Sequence, residues 1–227
     1  PPRELAPDLW EISGEWNNKL GRRMVVIRLK NGDLFVHNAF HLKKQHLDWL
    51  KSLGNLKYIV APNTFHCSDA SWMKRQFPEA KLFVPKSKLS HFRQDGLDGL
   101  DTESDFPDEI ASELLYLPSR GTKMEEAVFL HVSSKTLVLT DLAFNMGPVF
   151  SGLEKFAMSL NLVGQGLGPT RVLKWVFGKD REQLKNFFIE ILRLDFDRVI
   201  VNHGDIVDRD GRRLLEAGVI RLFGPLN

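Results

Sequence analysis

Histidine and aspartate side chains follow three apolar, β-branched runs of the sequence, where they could bind a metal ion or transfer protons. His203 follows one run and Asp141 another, and the third leads into a loop that carries His66 and Asp69. Such runs predict buried strands, and α/β folds hold their functional groups at the carboxyl ends of strands. The four residues therefore predict one shared polar site. A divalent metal is a candidate occupant, because imidazole and carboxylate both bind zinc, manganese and iron.

His203 has the clearest surroundings of the four candidates. Gly204 follows it at the end of the strand, and Asp205 lies close by. A carboxylate that accepts the second ring N–H is what a metal-bound or general-base histidine needs. Asp141 ends an otherwise apolar strand, where burial is costly unless the carboxylate meets a metal, a cation or several donors. Its structural alternative is a cap on the following turn, and Asn145 is a candidate support.

The neighbouring pair His66 and Asp69 has competing structural interpretations. His66 is either a ligand or a loop histidine bonded to a backbone carbonyl. Asp69 is either a ligand or, with Ser68, a cap for the following helix. Cys67 could be a thiolate ligand or nucleophile, but a lone cysteine more often packs as a small buried hydrophobe. We therefore leave Cys67 out of the predicted site.

The composition indicates one globular domain over residues 1–227. Hydrophobic residues make up 43% of the chain and charged residues 26%, which is typical of a soluble protein and not of a disordered one. A formal charge of +2 gives no support for binding to nucleic acid or to an anionic membrane. The expected partner is a small-molecule substrate or ligand, and the sequence does not indicate an oligomeric state.

The cysteine count and the hydropathy pattern indicate the cellular compartment in which the protein is expected. The single cysteine excludes an internal disulfide and favours a reducing environment. No apolar run reaches the roughly 18–20 residues that span a bilayer, and the first residues lack the core of a signal peptide. We therefore expect a cytoplasmic protein.

The first half of the sequence predicts a β-rich start followed by an α/β region. A strand is expected over residues 9–16, and then a hairpin whose strands, 22–29 and 34–37, flank an Asn31-Gly32 turn. Helices and strands then alternate in βαβ order, and we expect them over residues 43–53, 58–61, 68–77 and 81–85. The polar residues 86–106 predict a short helix and a surface loop.

The second half repeats this order. Strands are expected over residues 110–117, 127–132 and 136–140. Residues 145–168 predict one helix and a glycine-rich connection, which is either a lid over the site or a helix packed on the core. A helix over 180–194, a strand over 198–202 and a helix over 210–217 complete the chain. This repeat favours the α/β class and a four-layer αββα sandwich.

Several short motifs occur in an order and spacing that carry a resemblance to a known superfamily. They are Gly32-Asp33-Leu34, Leu53-Gly54, Ile59-Val60-Ala61-Pro62-Asn63, His66 with Phe77-Pro78-Glu79-Ala80, Glu125 or Glu126 before Val128-Phe129, Leu137-Val138-Leu139-Thr140-Asp141-Leu142, and Arg198-Val199-Ile200-Val201-Asn202-His203-Gly204. Over nearly the whole chain the sequence resembles the metallo-β-lactamase superfamily. Within it, the sequence looks like an uncharacterised metallo-β-lactamase-like family.

The resemblance implies an αββα sandwich with a one- or two-metal site at one edge, where activated water attacks an ester, amide, thioester or phosphodiester. By this resemblance Asp141 matches the bridging aspartate and His203 the final histidine. His66 falls in the His-x-His-x-Asp-His region, but Asp69 follows it by three residues instead of two or four. Asn63 is a candidate for the position of the first histidine.

One expected ligand, the middle histidine, is missing, and residues 120–129 offer Thr122 or an acidic side chain instead. Four candidate metal ligands remain, namely His66, Asp69, Asp141 and His203, and the last two are also the candidate catalytic residues. The site therefore holds one divalent ion, zinc, manganese or iron, or none. Two functions stay open: a metal-dependent hydrolase, and a non-catalytic relative with a degraded metal site that binds a small ligand or partner.

Overall fold

The computed structural model describes residues 1–15, 21–98, 100–102, 105–147 and 151–226, and the chain divides into two compact units. The first unit comprises residues 1–14 and 22–113, and the second comprises residues 15–21 and 114–227. The single domain expected over residues 1–227 stays a prediction. Within the described ranges, no helix has both the length and the apolar character needed to cross a membrane.

The first sheet contains seven strands, counted over the described residues, and they are arranged in chain order. They are β1 (Arg3–Ala6), β2 (Leu9–Glu15), β3 (Gly21–Arg28), β4 (Asp33–His37), β5 (Asn55–Val60), β6 (Lys81–Phe83) and β7 (Leu100–Asp101). The pairs β1–β2 and β3–β4 are antiparallel, whereas β4 to β7 run parallel. The predicted hairpin is confirmed, and Gly32 at its turn has φ +86°. Residue 16, the end of one predicted strand, lies outside the described residues.

Short helices return the chain between the parallel strands of the first unit, as parallel pairing requires. They are α1 (Lys44–Leu53), α2 (Ala70–Gln76) and α3 (Leu89–Gln94), with a 3₁₀ turn at Lys86–Lys88. Leu50, Met73 and Phe92 lie at less than 1% exposure in the core of this unit, with Ile59 and Leu82 of the sheet. The predicted βαβ order is thus confirmed, but the predicted surface loop also contains β7.

The second sheet has the order β11-β10-β9-β8. Its strands are β8 (Leu114–Pro118), β9 (Ala127–His131), β10 (Thr136–Val138) and β11 (Arg198–Ile200). The pairs β8–β9 and β9–β10 are antiparallel, and β11 runs parallel to β10. The strand expected over 110–117 begins only at Leu114, because Ile110 belongs to a 3₁₀ turn at Asp108–Ile110.

The helices of the second unit are α4 (Gly152–Leu160), α5 (Arg181–Leu192) and α6 (Gly211–Phe223), with a π-helical turn at Leu173–Phe177. The carboxylate of Asp180 caps α5 by accepting from the backbone N–H groups of Glu182 and Gln183. Phe187 and Phe188 of α5 pack into the core with Val199 of β11. The helix expected over 210–217 extends to Phe223, since its apolar stripe continues through Val219 and Leu222. Residues 148–150, part of the predicted lid segment, lie outside the described residues.

Candidate metal centre

The parallel register of β10 and β11 brings Asp141 and His203 together in the second unit. Val138 pairs with Ile200 at the ends of β10 and β11, and the polar side chain lies three residues beyond each strand end. Because both strands run in the same direction, the two side chains leave the sheet at the same edge. The Nε2 atom of His203 lies 3.4 Å from Oδ1 of Asp141. The structure therefore brings together two of the four predicted ligands.

The ring of His203 is oriented by a backbone carbonyl from far along the chain. Its Nδ1 lies 2.7 Å from the carbonyl oxygen of Gly21. A carbonyl oxygen can only accept, so Nδ1 must carry a proton, and the nitrogen that a metal could bind is Nε2, the atom that faces Asp141. Gly21, and not Asp205, thus faces the second ring nitrogen. Because an unprotonated nitrogen and a carboxylate oxygen are zinc ligands, the pair fits a divalent metal.

The imidazole of His203 is almost fully enclosed. Its side chain is 3% exposed, against 12% for Asp141, so Asp141 is the more accessible of the two. The ring of Phe144 stacks on the imidazole, with a centroid separation of 5.4 Å and an angle of 11°. The side-chain Nδ2 of Asn202 lies 3.0 Å from Nε2. Packing and hydrogen bonds therefore fix the imidazole in one orientation.

Glu126 holds the backbone that carries Asp141. Its side chain is completely buried, and its two oxygens accept from the backbone N–H groups of Thr140 (2.7 Å), Asp141 (2.8 Å) and Leu142 (3.1 and 3.3 Å). A buried carboxylate needs several donors, and three consecutive amides supply them. The resemblance offers an acidic side chain of residues 120–129 as a substitute for the middle histidine, whereas both oxygens of Glu126 accept from backbone N–H groups instead. The sequence signal for this role is a glutamate next to an apolar strand, because a buried carboxylate there needs hydrogen-bond donors.

A second link joins the backbones that follow Asp141 and His203. Asn145 and Gly204 form an isolated parallel bridge, in which Asn145 N–H donates to the His203 carbonyl and Asp205 N–H donates to the Asn145 carbonyl. The side chain of Asn145 also donates to the Asp205 carbonyl, over 2.9 Å. Asn145 therefore supports this site through both its backbone and its side chain.

His66 lies in a loop of the first unit that Asn63 shapes. The side-chain oxygen of Asn63, which is fully buried, accepts from the backbone N–H groups of Phe65 (2.9 Å) and His66 (2.8 Å). Asn63 is the sequence candidate for the first-histidine position, and in the structure its side-chain oxygen holds the loop. The imidazole of His66 is half-buried, and its role as a ligand stays a prediction.

Asp69 forms an ion pair in the first unit. Its Oδ2 accepts from the guanidinium of Arg22, and its Oδ1 lies 4.0 Å from Nε2 of His41. Asp69 occupies the N-cap position of α2, as the structural alternative predicts, but its side chain makes no capping hydrogen bond there. The cation of Arg22 already balances the charge of this carboxylate, which weakens the case for Asp69 as a ligand.

Cys67 packs as a buried apolar residue. It is 5% exposed and belongs to the core of the first unit. Burial raises the pKa of the Cys67 thiol above its usual value, because the anion loses hydration. The protonated thiol is a poor nucleophile, in agreement with its exclusion from the predicted site.

We expect Cys67 to react with a soluble disulfide reagent at pH 7.5 roughly 100-fold more slowly in the native protein than in the denatured protein. The cause is the raised pKa together with the lack of access. Release of the chromophoric thiol, followed with and without guanidinium chloride, measures the ratio. Equal rates would show that the thiol is accessible and ionised in the native state.

A cavity of about 230 Å³ lies in the second unit next to the residues that follow Asp141. Its lining residues are Met146, Gly147, Lys155, Met158, Ser159, Val163 and Gly164. Met146 and Val163 pack with Phe144, the side chain that stacks on His203. One aromatic ring therefore lies between the cavity wall and the imidazole.

The comparisons with known sequences identify a family. The family described as "Domain of unknown function (DUF4336)" matches residues 19–151, which is more than half of the chain. No curated protein matches this sequence.

The comparisons with solved structures identify a fold. The metallo-β-lactamase from Pontibacter korlensis is 11% identical, with a TM-score of 0.63 over 98% of this chain and 97% of that one. The DIM-1 metallo-β-lactamase is 12% identical, with a TM-score of 0.61 over 96% and 97%. FIM-1 from Pseudomonas aeruginosa, in its mono-zinc form, is 12% identical, with a TM-score of 0.62 over 97% and 95%. This likeness shows the metallo-β-lactamase fold, with two sheets and helices, as the sequence predicted.

Proposed function

Since the chain belongs to this family of unknown function and has the metallo-β-lactamase fold, we propose that it is a divergent metal-dependent hydrolase. Asp141 and His203 are the ligands that the second unit provides. The observation that carries the proposal is the hydrogen bond from His203 Nδ1 to the Gly21 carbonyl. It leaves the Nε2 lone pair directed to the side on which the Asp141 carboxylate lies.

The metal in this proposal is a single divalent ion, and zinc is the first candidate. Catalytic zinc sites use about three protein ligands and keep an open position. His66 is the third ligand on the strength of the sequence resemblance, while Asp69 is the weaker candidate because Arg22 pairs with it. FIM-1, which shares this fold, has a mono-zinc form, so one ion is compatible with the fold.

The chemistry is hydrolysis of an ester, thioester, amide or phosphodiester. A bound zinc ion lowers the pKa of water and polarises the bond that is attacked. The chain supplies the rest: the Gly21 carbonyl holds the proton of His203 on Nδ1, Phe144 keeps water from one face of the imidazole, and Glu126 fixes the backbone at Asp141. The carboxylate of Asp141, the more accessible of the two side chains, can accept a proton from an approaching water.

The cavity beside Phe144 is the proposed place for the non-reacting part of the substrate. Met146, Met158 and Val163 offer apolar contact, and Lys155 gives the wall a positive charge. A substrate with a short apolar group and an anionic group fits this lining. A test of hydrolysis should therefore use substrates both with and without a carboxylate.

One contact favours the non-catalytic alternative. The Nδ2 of Asn202 donates to Nε2 of His203, and this bond uses the lone pair that a metal would need. Asn202 must turn away when an ion binds. In a ligand-binding relative without metal, the bond would instead persist and complete the hydrogen bonding of the buried ring.

Zinc is expected to bind the metal-free protein and to raise its Tm by about 5 °C or more at a concentration of a hundred times the Kd. The reason is that folding preorganises Asp141 and His203 at 3.4 Å. Titration calorimetry and thermal unfolding measure the affinity and the shift. His203→Ala and Asp141→Asn should each weaken binding about tenfold or more.

His91→Ala is the matched control, because His91 is exposed on α3 and its loss should leave zinc affinity unchanged. His66→Ala tests the third ligand. Equal affinity in the wild type and His203→Ala would overturn the metal site. Zinc binding without hydrolysis of any ester, thioester, amide or phosphodiester would instead support the non-catalytic alternative.

A further inference from the structure

Exposed apolar side chains are concentrated in one segment of the second unit. Among the described residues, nine large hydrophobic side chains are exposed, and six of them fall between residues 153 and 176. We call these six the apolar ridge; they are Leu153, Phe156, Leu160, Val172, Trp175 and Val176. Exposed apolar side chains concentrated in one segment are typical of an interaction surface.

The α4 helix presents its apolar stripe outward. Leu153, Phe156 and Leu160 have the i, i+3, i+7 spacing of one helical face, yet they are 88%, 63% and 53% exposed. No residue of α4 is buried. A helix in the core of a globular unit turns this stripe inward, so α4 has the arrangement of an amphipathic helix that lies on another surface.

Hydrogen bonds connect the two parts of the apolar ridge. The carbonyl of Asn161, directly after α4, accepts from the backbone N–H of Arg171, and its side-chain oxygen accepts from the N–H of Val172 at 2.7 Å. Leu160 and Val172 therefore lie on either side of one fixed junction.

The segment that carries the apolar ridge is positively charged. Residues 151–181 contain five basic side chains (Lys155, Arg171, Lys174, Lys179 and Arg181) and two acidic ones (Glu154 and Asp180), for a formal charge of +3. The whole chain carries +2, so the remaining residues sum to −1. The basic character of the protein is thus local to this segment, which composition alone could not show.

Trp175 combines an exposed apolar side chain with adjacent positive charge. The guanidinium of Arg181 lies 3.7 Å from the centroid of its ring, and Nζ of Lys174 lies 5.4 Å away, while the indole is 57% exposed. Tryptophan with adjacent cations is typical of side chains at the level of lipid headgroups.

From these observations we infer that the apolar ridge docks on an anionic lipid surface. Leu153, Phe156 and Trp175 enter the boundary between headgroups and acyl chains, and Arg171, Lys179 and Arg181 meet the lipid phosphates and carboxylates. A second copy of this chain is a less favourable partner for the apolar ridge. A two-fold interface would place the same +3 segments against each other.

The test is sedimentation of the full chain with vesicles of phosphatidylcholine alone and with about 30% phosphatidylserine. We expect binding to the anionic vesicles, weakened by salt, with little binding to the neutral ones. Leu153→Ser with Phe156→Ser should reduce the bound fraction at least tenfold. Arg171→Glu with Lys179→Glu should abolish the preference for anionic vesicles.

Val132→Ser and Ile220→Ser are matched controls, because these exposed apolar residues lie outside the apolar ridge, and both should bind as the wild type does. Equal sedimentation with both kinds of vesicle, or unchanged binding by the Leu153 and Phe156 variant, would overturn the inference. So would a concentration-dependent dimer, without vesicles, that Phe156→Ser dissociates. The assay needs no metal, so its result is independent of the proposed hydrolase activity.

Discussion

Alanine in place of Gly204 is expected to destabilise the protein by about 3 kcal/mol or more. Gly204 has φ +99°, and a Cβ added there would lie 2.1 Å from the carbonyl oxygen of Asn145. Relief of this clash must separate the two backbones and break the bonds from Asn145 N–H to His203 and from Asp205 N–H to Asn145. Thermal unfolding should show a Tm lower by roughly 6–12 °C.

Gly166→Ala separates the clash from the cost of the backbone conformation. Gly166 has φ +88°, but a Cβ there would meet nothing within 4 Å, so alanine should cost only about 1–2 kcal/mol. The difference in destabilisation between Gly204→Ala and Gly166→Ala therefore measures the cost of the clash with Asn145. Equal Tm values for both variants would show that the Asn145–Gly204 bridge contributes nothing beyond backbone strain.

The features that the sequence predicted well depend on local patterns. The Asn31-Gly32 turn lies between two β-branched runs, and turn chemistry of this kind determines a hairpin. α5 has both an N-cap at Asp180 and a complete apolar face. Asp141 and His203 are predicted to share a site because each follows an apolar strand, and the parallel register of β10 and β11 places the two strand ends side by side.

The features that the sequence did not predict depend on distant parts of the chain. Gly21 lies 182 residues from His203, and a backbone carbonyl leaves no trace in residue type, so the partner of Nδ1 could not be read from the sequence. β7 has two residues in a polar stretch, and it is a strand only because β6 offers it an open edge. The acidic side chain of Glu126 can be read from the sequence, but its hydrogen-bond partners cannot. They are backbone N–H groups, which do not depend on residue type.

Replacing Glu126 by alanine is expected to have the largest effect, a destabilisation of about 4 kcal/mol or more. The substitution leaves the N–H groups of Thr140, Asp141 and Leu142 without the carboxylate that now accepts from all three. The side chain of Glu126 is fully buried, so water does not readily replace its oxygens as acceptors. Urea unfolding of the wild type and the variant measures the loss, and the Tm should fall by about 10 °C.

Glu126→Gln and Glu216→Ala show which property of Glu126 matters. Glutamine keeps the volume and one oxygen but turns an NH₂ group toward N–H donors, so we expect it to lose about half of the stabilisation of the carboxylate. Glu216 is exposed on α6, and its replacement should change stability by no more than about 0.5 kcal/mol. If Glu126 acts by positioning Asp141, the folded Glu126→Gln protein should also bind zinc about tenfold more weakly. Reduced stability with unchanged zinc affinity would limit Glu126 to a structural role and leave the orientation of Asp141 to the strand register alone.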